Sequence, residues 1–139
     1  MRSSFHEELG RLESQTLGAL DMVGEAVDRV AEAVQHQDIE LASLVIEDDD
    51  RIDGRYLEVH QGVLSLLARQ APVATDLRLI AALLDVIKHA ERMGDQCVNV
   101  CKLLPLAGHQ PPSDDKLLSL IARMGAQSRS QVLQSKAAF

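Results

Sequence analysis

The sequence predicts an all-α protein: an antiparallel three-helix bundle carrying a fourth helix. Three observations point there. Nearly all of the 139 residues follow a helical spacing of apolar side chains, no segment alternates with period two for long, and the breakers gather at three places. The first helix runs near 4–35 and stops at "QHQD" (35–38), where Asp38 suits the N-cap of a second helix near 38–69. "RQAPVATD" (69–76) interrupts next, and Pro72 suits the start of a third helix near 73–104. "LPLAGHQPPSDD" (104–115) is the only Pro/Gly-rich segment, and Ser113 can cap a fourth helix near 114–137. The turns between the first three helices are very short, so these helices run antiparallel as neighbours. The fourth is only partly apolar, through Leu117, Leu118, Leu120, Ile121, Met124, Val132 and Leu133. Completing a four-helix bundle, opening a second unit and exchanging within a dimer are all open to it.

Composition narrows the function classes. A chain that is 46% hydrophobic and 25% charged, with mean hydropathy −0.03, reads as one globular domain. No run approaches the roughly 18 apolar residues of a membrane span. The opening "MRSSFHEELG" lacks the apolar core of a signal peptide, so a cytoplasmic location without membrane insertion is expected. A net charge of −7, 2% aromatics and no Trp argue against nucleic acid, which asks for a basic face and stacking rings. Cys97 and Cys101, four apart on one helix, suit neither a zinc ribbon nor a disulfide framework and are expected to be reduced.

The chemistry lies in carboxylates. In steps of seven, Leu77, Leu84, Glu91 and Val98 form one register of the third helix, and Ile80, Ile87, Gly94 and Cys101 another. Reading both as the buried stripe puts Glu91 in the apolar seam, with Asp95 one turn on at its edge. On the second helix Val45, Ile52, Val59 and Leu66 make the seam, Asp49 shares a register with Tyr56 and Val63, and Asp53 flanks that side. Asp49/Asp53 lie about 20 residues before the hairpin near residue 71, and Glu91/Asp95 about 22 after it. At ~1.5 Å per residue the two pairs come within about 3 Å of one level. Each i, i+4 pair projects from one helix face, so four carboxylates converge along one groove.

Four such groups repel strongly unless something neutralises them. A bound cation is one solution: a hard, oxygen-preferring Mg, Mn or Ca, or iron. Gly94 favours it by removing bulk beside the carboxylates at a cost of ~1 kcal/mol. The other solution is a salt-bridge network using Arg51, Arg55, Lys88 and Arg92. His60 and His89 are expected as ordinary helix residues.

At these residues the sequence resembles the PhoU family of phosphate-specific transport system accessory proteins. The likeness runs from about residue 5 through 106. It includes the hairpin "QAPVATDLR" with Pro72, Ala74, Asp76, Leu77 and Arg78, the segment "ERMGD" followed by Asn99, and an acidic cluster ending in Ile52-Asp53. The resemblance implies two repeated three-helix bundles side by side and metal bound at E/D-x-x-x-D motifs, here Asp49, Asp53, Glu91 and Asp95. Iron, zinc, manganese and magnesium are its candidate metals. It also implies a cytoplasmic adaptor that negatively regulates phosphate uptake and represses the phosphate-starvation response, while the exposed side of the fourth helix leads to the expectation of a homodimer. Such an adaptor links the ATPase subunit of the phosphate importer to a sensor histidine kinase.

Against that pattern, this chain holds one full bundle (1–106), a linker (107–112) and a fourth helix (113–139) that looks like the start of an incomplete second repeat. A fragment and a natural short form that recovers the missing surface by oligomerising are the two expectations. Two other function classes compete. A carboxylate-bridged metal enzyme would need Glu-x-x-His pairs, a nucleophile elbow or a phosphate-cradling loop, and none is found, so no enzyme is expected. A purely structural bundle would gain stability from Glu91→Leu.

Overall fold

The computed structural model describes residues 2–139. They form four α-helices, α1 (Arg2–His36), α2 (Ile39–Arg69), α3 (Ala74–Leu103) and α4 (Asp115–Ala137), with a 3-10 turn, Leu104–Ala107, closing α3. The all-α architecture is the one expected, and each boundary falls within two residues of its sequence estimate.

Local chemistry sets the boundaries. Gln37 takes a left-handed φ of 52° and ends α1. Its side-chain amide donates to the carbonyls of Leu104 (2.6 Å) and Gly108 (2.7 Å), tying the first turn to the far end of α3. Asp38 caps α2 by accepting from the Leu41 N–H at 3.0 Å. Pro72, expected at the start of α3, lies two residues before its first helical residue, Ala74, and the N-cap Val73 offers no side-chain bond. The last expected cap shifts by one residue. Asp114, not Ser113, caps α4, because Asp114 holds the extended backbone next to the first helical residue. Its carboxylate accepts from Lys116 N (3.0 Å) and Leu117 N (3.1 Å).

Three heptad seams close the bundle. On α2 the buried residues are Ala42, Val45, Asp49, Ile52, Val59, Val63 and Leu66, a three-four alternation in which Asp49 occupies a core position. On α3 they are Ile80, Leu83, Ile87, Ala90, Gly94, Cys97 and Cys101. This corrects the expected register: Leu77 is 51% exposed, Leu84, Glu91 and Val98 are only half-buried, and Glu91 stands one residue beside the seam. The small residues Ala90 and Gly94 let α3 approach α2 closely, so the interface centres on them and the larger side chains flank it. On α1, Phe5, Leu9, Leu12, Thr16, Ala19 and Val23 continue the pattern. Each fully buried Leu, Ile or Val in these seams contributes about 1.5–3 kcal/mol.

The fourth helix lies along α1. Arg129 passes over α1 where Gly24 leaves room for its guanidinium, and Gly125 faces Ala31 with space for no larger residue. Arg129 pairs with Asp28 (3.4 Å), Lys136 with Asp21 (3.0 Å), and the Gln35 amide donates to the Leu118 carbonyl (2.6 Å). Among the described residues no helix is long and apolar enough to cross a membrane.

Candidate metal centre

Asp49 defines the site. Its backbone belongs to the α2 seam, so its side chain points inward toward α3 and is only 9% exposed. The space it occupies exists because residue 94 is glycine. A Cβ there would stand 2.6 Å from Asp49 Oδ1 and 3.3 Å from Ile52 Cδ1. One turn along α2, Asp53 projects from the same face, and Asp95 comes across from α3. One carboxylate oxygen from each of Asp49, Asp53 and Asp95 lies within 4.8 Å of the other two. Glu91 lies a turn before Asp95 on the same face of α3.

The electrostatics agree. Burial pushes the Asp49 carboxyl up from 3.8 to about 6, aided by Asp53, Asp95 and Asp50 and opposed by Lys102. Burial raises Asp53 as well, followed by the charges of Asp95 and Asp50. Glu91 is raised by burial first, then by Asp95 and the surrounding aspartates. Asp49 Oδ1 and Asp53 Oδ1 are both buried and accept no hydrogen bond. Leaving such acceptors unmet is costly.

The salt-bridge solution does not form. Among the described residues no ion pair includes Asp49, Asp53, Glu91 or Asp95. Arg55 instead lies against Gly18 of α1. His60 stacks on Tyr56, and His89 is exposed on another face of α3. Arg29, which sequence spacing does not single out, bonds Asp48 at 2.6 Å, beside Asp49 in the chain. With Met22, Glu25 and Gly94 it lines a small depression that reaches Asp49 from the α1 side. Its only sequence signal is the acidic run Glu47–Asp50, which offers a neighbouring cation several partners. Cys97 and Cys101 are free and buried, and burial raises both thiols to about 11. Neither thiol belongs to the group of converging ligand atoms, which is Asp49, Asp53 and Asp95. The donor set is therefore all carboxylate, the kind that takes a hard cation.

A family model described as the PhoU domain matches residues 17–104. Phosphate-specific transport system accessory protein PhoU homologues are similar along the chain. The Aquifex aeolicus homologue is 33% identical over 106 residues, covering 76% of this chain and 48% of its own length. Homologue 2 of Mycobacterium tuberculosis is 32% identical over 126 residues, covering 90% and 59%. The Clostridium acetobutylicum homologue is 30% identical over 139 residues, covering 99% and 63%. The chain thus spans about half to three-fifths of the length of these relatives. The matched segment contains all four carboxylates.

Proposed function

The chain belongs to the PhoU domain family, and on that premise we propose that it is a metal-binding regulatory accessory of phosphate-specific transport. The names carried by its relatives support the transport assignment. The single observation that supports the metal is the pair of buried, unpartnered oxygens on Asp49 and Asp53 beside Asp95. Asp49, Asp53 and Asp95 are the ligands and Glu91 an auxiliary carboxylate at the edge. A divalent or trivalent cation, iron, zinc, manganese or magnesium, supplies positive charge that relieves the repulsion. The protein's part is to hold carboxylates from α2 and α3 at one level, with Gly94 clearing the space. The role is non-catalytic: a cytoplasmic adaptor that restrains phosphate uptake and phosphate-starvation signalling by contacting the importer's ATPase subunit and a sensor histidine kinase. The homodimer expected from the exposed side of the fourth helix is tested by sedimentation equilibrium.

Thermal melting of chelator-stripped protein, titrated with Mn(II), Mg(II), Zn(II) and Fe(II), tests the metal. A rise in Tm that is absent from an Asp49→Asn/Asp53→Asn/Asp95→Asn variant is expected. No rise with any ion refutes the metal site. Binding of the chain to immobilised ATPase subunit and kinase cytoplasmic domain tests the adaptor role separately, and failure with both refutes it.

A further inference from the structure

We infer that His6 and Asp76 form a pH-sensitive clasp at the hairpin end of the bundle, closed while the His6 ring is charged. α1 and α3 run in the same direction, so their first turns lie side by side, next to the turn between α2 and α3. Across that junction His6 Nε2 stands 3.2 Å from Asp76 Oδ1. The other ring nitrogen, Nδ1, stands 2.9 Å from the Arg2 carbonyl oxygen, one turn back on α1. The ring meets Phe5 edge to face, and Phe5 is itself buried in the core.

Both ring nitrogens therefore face acceptors. A carbonyl oxygen and a carboxylate have no proton to give, and a neutral imidazole has one N–H only. Whichever tautomer the neutral ring takes, one of the two contacts sets lone pair against lone pair. The imidazolium form donates at both positions and is the form this geometry holds. Imidazole changes charge over about pH 5–8, so the clasp is made on the acid side of that interval and lost as pH rises through it.

The neighbouring charges leave the pair intact. Among the described residues no other ion pair includes His6 or Asp76. On α1, Glu8 is engaged by Arg11 at 2.6 Å, Glu7 lies 100° round the helix from His6, and Arg2, a like charge one turn back, is exposed to solvent. From α2, Arg69 donates to its own Ser65 carbonyl and its charge acts on Glu8. On α3, Arg78 lies about 200° round the helix from Asp76. α4 stops well short, with Lys136 against Asp21, fifteen residues further along α1.

The clasp fastens a helix entry that lacks a side-chain cap. Val73 offers α3 no side-chain bond, and the first bond of that helix runs from the Leu77 N–H to the Val73 carbonyl at 2.9 Å. His6 and Asp76 tie this entry to the first turn of α1, across 70 residues of chain. Discharging the ring lets both first turns fray, while the buried seam from Leu83 onward stays packed. Asp95 lies nineteen residues further along α3, about 28 Å away, so the clasp does not depend on the metal reading.

Amide hydrogen exchange on the full chain at pH 5.5 and pH 8.5 tests the clasp, read as the ratio of variant to wild-type rate so that intrinsic rates cancel. At pH 5.5 the Leu9 and Leu77 amides of His6→Gln are expected to exchange about two- to fivefold faster than in wild type, the range of an exposed ion pair. At pH 8.5 the ratio is expected to be one. In an Asp76→Asn background, His6→Gln is expected to have no effect at either pH. The core amides of Leu83 and Ile87 keep their rates throughout. A ratio that is the same at both pH values overturns the clasp, as does an equal effect of His6→Gln with and without Asp76. Rates that rise equally at Leu83 and Ile87 also overturn it, because they mark global rather than local opening.

Discussion

Asp49→Asn separates the cost of the carboxylate site from its use. Burial and neighbouring aspartates raise the Asp49 carboxyl from 3.8 to about 6, so the folded state holds its proton more tightly than the unfolded chain does. Between those two pH values the folded state binds more protons, and stability falls as pH rises. The penalty is absent below pH 3.8, grows through the window and is complete above pH 6. Its size is about 3 kcal/mol. Asparagine keeps the shape against Gly94 and removes the charge. In metal-free protein at pH 7.5, Asp49→Asn should therefore raise stability by up to about 3 kcal/mol, or roughly 10 °C in Tm for a domain of this size. Near pH 3.5 the two proteins should be nearly equal. Urea unfolding in the presence of a chelator, as a function of pH, measures the difference and cancels the carboxylates common to both. With saturating metal the order should invert, because only the wild type gains binding energy. A difference that does not change with pH, or a variant less stable than wild type at pH 7.5 without metal, refutes the argument.

Other substitutions test the remaining pieces. Gly94→Ala drives a Cβ toward Asp49 Oδ1 and Ile52; it should cost about 1–3 kcal/mol and shrink the metal-induced Tm shift. Gly54→Ala, with nothing within 4 Å, should gain about 0.5–1 kcal/mol in the same melts. Glu91→Gln should retain most of the metal-induced shift while Asp95→Asn loses it, since Glu91 stands outside the three-oxygen cluster; equal losses in isothermal titration would make Glu91 a full ligand. Asp38→Ala removes the α2 cap and should cost about 1 kcal/mol in denaturant unfolding. Arg129→Ala removes the guanidinium over Gly24 and the pair with Asp28, so amide exchange should quicken in α4 and stay slow in the α2 and α3 seams.

Most of this fold is legible in the residues, because the seams are long and their breakers few. Asp38, Asp49 and Gly94 each announce themselves: a cap before an apolar run, an acid in a hydrophobic register, a glycine where a helix has no local need of one. The register of α3 is harder to read. Leu77, Leu84 and Val98 look like a core stripe, whereas the buried positions beside them include Ala90, Gly94 and Cys97. Small residues give a weak hydrophobic signal yet mark where helices come closest, and here that displaced Glu91 from the seam to its edge. The carboxylate that truly takes a core position is Asp49. Ser113 and Asp114 are both good cap residues, and only the backbone turn chooses between them. The placement of α4 is not legible at all from spacing. It depends on α4 settling on α1 through Gly24, Ala31 and Gly125, and no local pattern states which helix a fourth one will choose.

The placement of the carboxylates follows from the same packing. A domain of this kind has about 5–15 kcal/mol of net stability, so a penalty of up to about 3 kcal/mol at Asp49 is a large fraction of it. It is bearable because α2 and α3 are otherwise joined by an uninterrupted apolar seam, from Ile80 and Leu83 at one end to Cys97 and Cys101 at the other. On the proposed site, a cation at a thousand times its dissociation constant would return about 4 kcal/mol, which exceeds the penalty. Occupancy of that site would act on the α2–α3 pairing. The docking of α4 uses a separate set of contacts on α1, led by Arg129 and Lys136. The carboxylates are thus carried by the α2–α3 pair, and α4 is held by a different pair, α1 and α4.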